Sequence, residues 1–164
     1  MTSQEAQSET SNSVSVGTTS IMQEQRVRLP GSNFSLRTLI ALTMNKINPE
    51  TRWTKNQLVE YDADDKDPIK FDLCGALAYT LLDLNKQLPK RRIEDVIVGL
   101  TADDDLQAMF NIFVNLYEEI FGEITNRGKP VKSTFAQVKI GIVNDSSTHD
   151  DLMKKLQVMV EYLK

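Results

Sequence analysis

The chain has 164 residues, with 19 Lys and Arg against 23 Asp and Glu, one His, one Cys and a formal net charge of -4. That length fits one domain of roughly 100 to 150 residues with a modest extension, and the charge offers no general attraction for nucleic acid or anionic lipid. A single cysteine excludes an internal disulfide framework. No apolar run approaches the roughly 18 residues that cross a bilayer, and the N-terminus lacks the basic start and apolar stretch of a secretory signal. The expectation is therefore an intracellular, cytoplasmic protein without membrane association.

Residues 1–20 are mostly Ser, Thr, Gln, Glu and Asn, with no aromatic, Lys or Arg side chain. Such a segment buries too little apolar surface to offset the entropy of ordering. Ile21, Met22, Val27 and Leu29 beside Arg26 and Arg28 form an adhesive stretch that Pro30 and Gly31 terminate. The domain reading is a disordered Ser/Thr/Gln-rich tail over 1–31 and a helical domain over 32–164. The hydroxyls of the tail also suit a linker regulated by phosphorylation.

Within 32–164 the apolar spacing is mainly helical. Leu36, Leu39, Ile40, Met44 and Ile47 mark a first helix, with Ser32, Asn33 or Ser35 as N-cap and Asn48-Pro49 as its stop. Leu58, Val59 and Tyr61, then an acidic turn from Asp62 to Asp67, then Ile69 and Phe71 read as a short hairpin or an extended loop. Asp72 is placed to cap a second helix, striped by Leu73, Leu77, Leu81, Leu84 and Leu88 and ended by Pro89. Ile93, Val96 and Ile97 suggest a short helix closing at Gly99, and Thr101 to Asp104 has the spacing of a capping box. The helix it opens carries Leu106, Met109, Phe110, Phe113, Tyr117 and Ile120, with further apolar residues wide of that stripe, and Gly122 as C-cap. That breadth makes it a central helix or one that self-associates. Residues 122–134 read as a loop. Phe135 to Val143 fits either a helix through Phe135, Val138 and Ile142 or a strand, with the helix favoured; Leu152, Leu156, Met159 and Leu163 mark the last helix, capped through Ser147 and Asp150. The fold class expected is mainly α: a single helical domain with at most a short β-hairpin, preceded by the tail.

Little of the chain carries recognisable chemistry. Cys74 in a first helical turn and His149 in another are the ingredients of a nucleophilic pair, although a lone cysteine among Leu73, Leu77 and Leu81 ordinarily behaves as a small apolar residue. Asp62, Asp64, Asp65 and Asp67 lack the calcium-loop pattern, since Asp67 and Leu73 occupy the sixth and twelfth positions. No metal and no cofactor are expected. Lys90-Arg91-Arg92 is far too small for a nucleic-acid footprint, and the phosphate-loop, dinucleotide and serine-hydrolase signatures are absent. The run from Asn144 to His149 suits a turn feeding the last helix, or an anion site at its N-terminus.

These features, in this order, resemble a family of small bacterial and phage domains with no assigned activity: Trp53-Thr54, Gly75-Ala76-Leu77 and Asn144-Asp145 followed by Thr148-His149, spanning residues 36–163. Asp72 stands where that family commonly has a cysteine, so Cys74 inherits no role, and Val143 stands where it often has Trp. The resemblance implies a cluster of Trp53, Asn144, Asp145, Thr148 and His149.

Two functional expectations follow. The first is a non-catalytic intracellular protein-interaction module, of phage or mobile-element origin, with a protein partner or a second copy of itself. The alternative is a small enzyme or ligand-binding domain, with His149, Asp145 and Cys74 as catalytic candidates and Trp53, Asn144 and Thr148 as ligand-binding candidates.

Overall fold

Hydroxyl and carboxylate caps set most of the helix starts. In the computed structural model, which describes residues 29, 31–55, 57–64, 67–88, 104–131 and 135–164, helix α1 (Leu36–Ile47) opens on Ser35, whose side chain accepts from Thr38 N at 3.1 Å. Helix α2 (Leu73–Leu84) opens on Asp72, whose Oδ1 accepts from Gly75 N at 2.6 Å. Helix α3 (Asp104–Phe121) is followed by Gly122 at φ +92, the left-handed conformation that glycine adopts without a Cβ penalty. Helix α4 (Ala136–Ser146) and helix α5 (His149–Tyr162) complete a mainly helical architecture. The N-cap of α5 is Thr148, accepting from Asp151 N at 3.2 Å, one residue later than the expected Ser147. Ser147 instead donates to Val143 O at 2.6 Å.

Between α1 and α2 the chain makes a short 3-10 turn (Glu50–Arg52) and an antiparallel hairpin of β1 (Val59–Tyr61) and β2 (Pro68–Phe71), with Val59 opposite Phe71. The acidic turn closes on its own backbone: Asp62 N donates to Asp67 O at 2.9 Å, and Asp62 Oδ1 accepts from Asp64 N at 3.2 Å. A second, two-residue ladder, β3 (Thr125–Asn126) with β4 (Lys129–Pro130), lies inside the segment read as loop. Its turn places Arg127 at φ +52 and Gly128 at φ +78, the paired left-handed geometry of a two-residue hairpin.

The second helix ends earlier than its leucine stripe. Lys86 adopts φ +55, its N–H reaches Asp83 O at 3.1 Å, and Gln87 N reaches Leu82 O at 2.7 Å. This is a Schellman closure, which satisfies the last carbonyls and turns the chain away before Pro89. Leu88, the expected last member of the stripe, is left exposed. A side chain in the left-handed region costs roughly 1–2 kcal/mol, so Lys86→Gly is expected to stabilise the fold by about 0.5–1 kcal/mol after the added unfolded-state entropy is subtracted. A urea midpoint that rises at unchanged slope would show it; a fall would mean that the lysine side chain contributes more than its backbone costs.

Helix α1 packs on α2 and α5, α4 packs on α3 and α2, and one continuous apolar cluster joins them. Leu36, Leu39, Ile40 and Ile47 from α1 meet Leu73, Leu77 and Leu81 from α2, and α5 adds Leu152, Leu156 and Met159. Each such leucine contributes about 1.5–3 kcal/mol by leaving water. Helix α3 is as broadly buried as its composition implies, with Val114 and Leu116 covered as well as Phe110 and Phe113. Ile112, Ile120 and Phe121 stay half-buried against the same cluster.

Residues 135–143 are helical, but the face differs from the expected one. Helix α4 buries Ala136, Ile140, Val143 and Asn144, while Phe135 and Val138 lie exposed and Ile142 half-buried on the other side. The tail before Leu29, the short helix at 93–99, the capping-box residues Thr101 to Asp103, and Lys90-Arg91-Arg92 lie outside the described residues. Among the described residues no helix is long and apolar enough to cross a membrane.

Candidate functional site

Trp53, Asn144, Asp145 and His149 come together at the junction of α1, α2, α4 and the segment leading into β1, while Thr148 does not join them. Asn144 lies at the inner end of α4 and is fully buried. Its Oδ1 accepts from Trp53 Nε1 at 2.7 Å and from Leu73 N at 2.9 Å. Its Nδ2 donates to Thr54 O at 3.2 Å and to Asp145 Oδ1 at 3.4 Å. A carboxamide offers two acceptor lone pairs and two donor hydrogens. All four are used.

Each partner is a group the fold must satisfy. Leu73 N–H belongs to the first turn of α2, where no intrahelical acceptor exists, so Asn144 completes a cap that Asp72 only begins. Thr54 is held on its other side by Thr54 N donating to Phe71 O at 3.0 Å, which extends the hairpin by the parallel bridge between Trp53 and Phe71. One amide therefore ties α4 to the start of α2 and to the strand-like segment at residues 53–54.

His149 works in the same way. Its Nε2 stands 2.5 Å from Ile47 O at the end of α1, and because a carbonyl oxygen only accepts, Nε2 carries the proton. The ring thus closes the C-terminal end of α1 from the first turn of α5. Trp53 lies beside it, with ring centroids 5.5 Å apart and planes at 52°, and Lys55 Nζ stands 5.4 Å from the Trp53 ring, within cation-π range.

The remaining candidates divide. Asp145 is exposed at the edge of the cluster, and Thr148 spends its hydroxyl on Asp151 N as the cap of α5. Cys74, one residue beyond Leu73, is 2 % exposed within the apolar cluster. Burial pushes its thiol well above the usual cysteine value, and the neighbouring Asp72 carboxylate pushes the same way. These effects override the helix-start dipole, so the sulfur is held as a neutral thiol rather than a nucleophilic thiolate. Among the described residues no three His, Cys, Asp or Glu side chains gather as a metal site.

Among the described residues, one groove of about 550 Å³ runs between Gly31–Phe34 and Leu84–Gln87 and is lined by none of the clustered residues. Sequence reasoning found Asn144, Trp53 and His149 but not the backbone groups of Ile47, Thr54 and Leu73 to which they bond. No family model, curated protein or solved structure matches the chain.

Proposed function

We propose that this chain is a non-catalytic protein-interaction module, of phage or mobile-element origin, acting inside the cell. The observation that carries the reading is the saturation of Asn144: the residue at the centre of the candidate cluster has all four hydrogen-bonding positions engaged by the chain itself. His149 and Thr148 are likewise committed to helix ends. Large apolar side chains stand exposed at the same time, among them Phe135, Val138, Val158 and Tyr162. Polar chemistry turned inward and apolar surface turned outward suit recognition of protein rather than turnover of a small substrate.

Trp53 is the only tryptophan, so its emission reports directly on the cluster and separates this reading from the ligand-binding one. Titration with pooled small metabolites and nucleotides is expected to leave the emission unchanged. A saturable shift that His149→Ala abolishes, with the fold intact by circular dichroism, would overturn the proposal in favour of a ligand site.

A further inference from the structure

Lys46 stands in the last turn of α1 and is half-buried. Its Nζ lies 4.8 Å from the centre of the Tyr79 ring, and that ring is itself held edge-on by Phe71, with centroids 5.2 Å apart and planes at 63°. An ammonium carries three N–H donors and no acceptor. Among the described residues none accepts a hydrogen bond from Lys46 or forms an ion pair with it, and the face of one ring replaces part of the hydration that burial removes. Other lysines of the chain are placed differently: Lys139 meets Glu118 at 3.1 Å, Lys154 meets Asp150 at 2.9 Å and Lys164 meets Glu161 at 2.8 Å.

Two charges on neighbouring elements act on the same amine. Arg52, from the 3-10 turn, brings a like charge, and Asp83, on α2, an opposite one. Burial lowers the Lys46 pKa most, Asp83 raises it, Arg52 lowers it again, and the net direction is down. Tyr79 beneath it stays a neutral phenol, because burial first, then Asp83, Tyr61 and Asp67, push its pKa up. Desolvation beside a second cation is the setting in which a lysine amine becomes a nucleophile. Lys154 is the contrary case, since its hydrogen bond and charge contact with Asp150 hold its pKa up. Arg52 and Asp83 are both exposed, so the cluster opens to solvent, and a guanidinium there matches the oxygens of a phosphate.

We infer that Lys46 is a site of acylation by acyl phosphates, with Arg52 drawing in the phosphate group and Asp83 restraining the reaction. This goes beyond the interaction reading and uses none of the side chains of the Asn144 network. The lone pair of the neutral amine attacks the carbonyl carbon. An N–C bond forms, the C–O bond to phosphate breaks, phosphate leaves with that electron pair, and the nitrogen gives up its proton to water. The product is an uncharged amide, which ends the cation-π contact with Tyr79 and the attraction for Asp83.

Incubation of the full chain with acetyl phosphate, each lysine being followed by site-resolved mass spectrometry, tests it. Lys46 is expected to be acetylated several-fold faster than Lys154 in the folded chain, and at about the rate of Lys154 in urea, where burial and neighbours are lost. Arg52→Gln is expected to slow Lys46 several-fold, since it removes both the phosphate contact and the like charge. Asp83→Asn is expected to speed it, since it removes an attraction for the ammonium and a repulsion for the incoming phosphate. Both residues are exposed, so circular dichroism should show the wild-type fold, and Lys154 is the internal reference in each variant. A Lys46 no faster than Lys154, a preference that survives urea, or a rate that is unchanged or moves the wrong way in either variant would each overturn the inference.

Discussion

Asn144→Ala is expected to lower the unfolding free energy by about 3–5 kcal/mol, a large share of the roughly 5–15 kcal/mol that holds a domain together. The truncation strands Trp53 Nε1–H, Leu73 N–H and Thr54 C=O in a buried place and leaves a cavity where the amide was. An unsatisfied buried donor or acceptor costs about 1–3 kcal/mol, and entry of water into the vacated space recovers part of that. Urea denaturation followed by Trp53 fluorescence measures both the loss and its location. The native emission is expected to shift as the indole loses its partner, before the main transition. Asn144→Asp sharpens the test, because it keeps the shape and the acceptor for Trp53 and Leu73 but turns a second carboxylate oxygen toward Thr54 O and the Asp145 carboxylate. Burial and that repulsion raise the new carboxyl's pKa in the folded state. Stability is then retained at pH values below the unfolded carboxyl pKa and lost as pH rises through the raised folded one. At neutral pH the N144D variant should therefore be weakened, and its deficit relative to wild type should shrink as the solution is acidified. A loss below about 1 kcal/mol for Asn144→Ala would mean that the network is incidental to stability.

The same residue shows how far the sequence could be read. Its type and its neighbours, Asp145, Thr148 and His149, mark a polar run before a helix, and that is legible as a place where side chains bond to backbone. What it bonds to is not, because residues 54 and 73 contribute a carbonyl and an amide that every sequence possesses. Helix starts were legible where a capping side chain stood alone, as at Asp72, and slipped by one residue where Ser147 and Thr148 both bear hydroxyls. The end of α2 was misplaced because Leu88 continues the apolar spacing, whereas the turn is made by Lys86 in a conformation that residue type seldom adopts. Helix α4 was the hardest element: apolar residues lie on both its sides, so periodicity identified Phe135, Val138 and Ile142 as a face without revealing that the core takes the other one.

Gly75→Ala is expected to destabilise the protein by about 3–5 kcal/mol, although the same change in an open helix position stabilises by about 1 kcal/mol through helix propensity. The reason is where β1 begins. A Cβ at residue 75 would fall on the Leu58 carbonyl oxygen, with the carbonyl carbon at 2.7 Å and Val59 Cγ2 at 3.2 Å. That carbonyl has no freedom to retreat, because it accepts from Asp72 N at 3.1 Å, and Val59 next to it is paired with Phe71. Backbone thus meets backbone, and an added methyl must lift the hairpin off the first turn of α2, breaking the Leu58 bond and straining the Asp72 cap. Displacing that turn also moves Leu73 N away from Asn144, so the damage spreads into the network described above. Gly141→Ala is the control within the same chain, since α4 is open there, and in dilute solution it should gain about 0.5–1 kcal/mol. Opposite signs at two helical glycines would locate the cost in the contact rather than in the residue type. Equal, small gains at both would mean that β1 yields easily, and the junction of hairpin and helix would then be far softer than its hydrogen bonds imply.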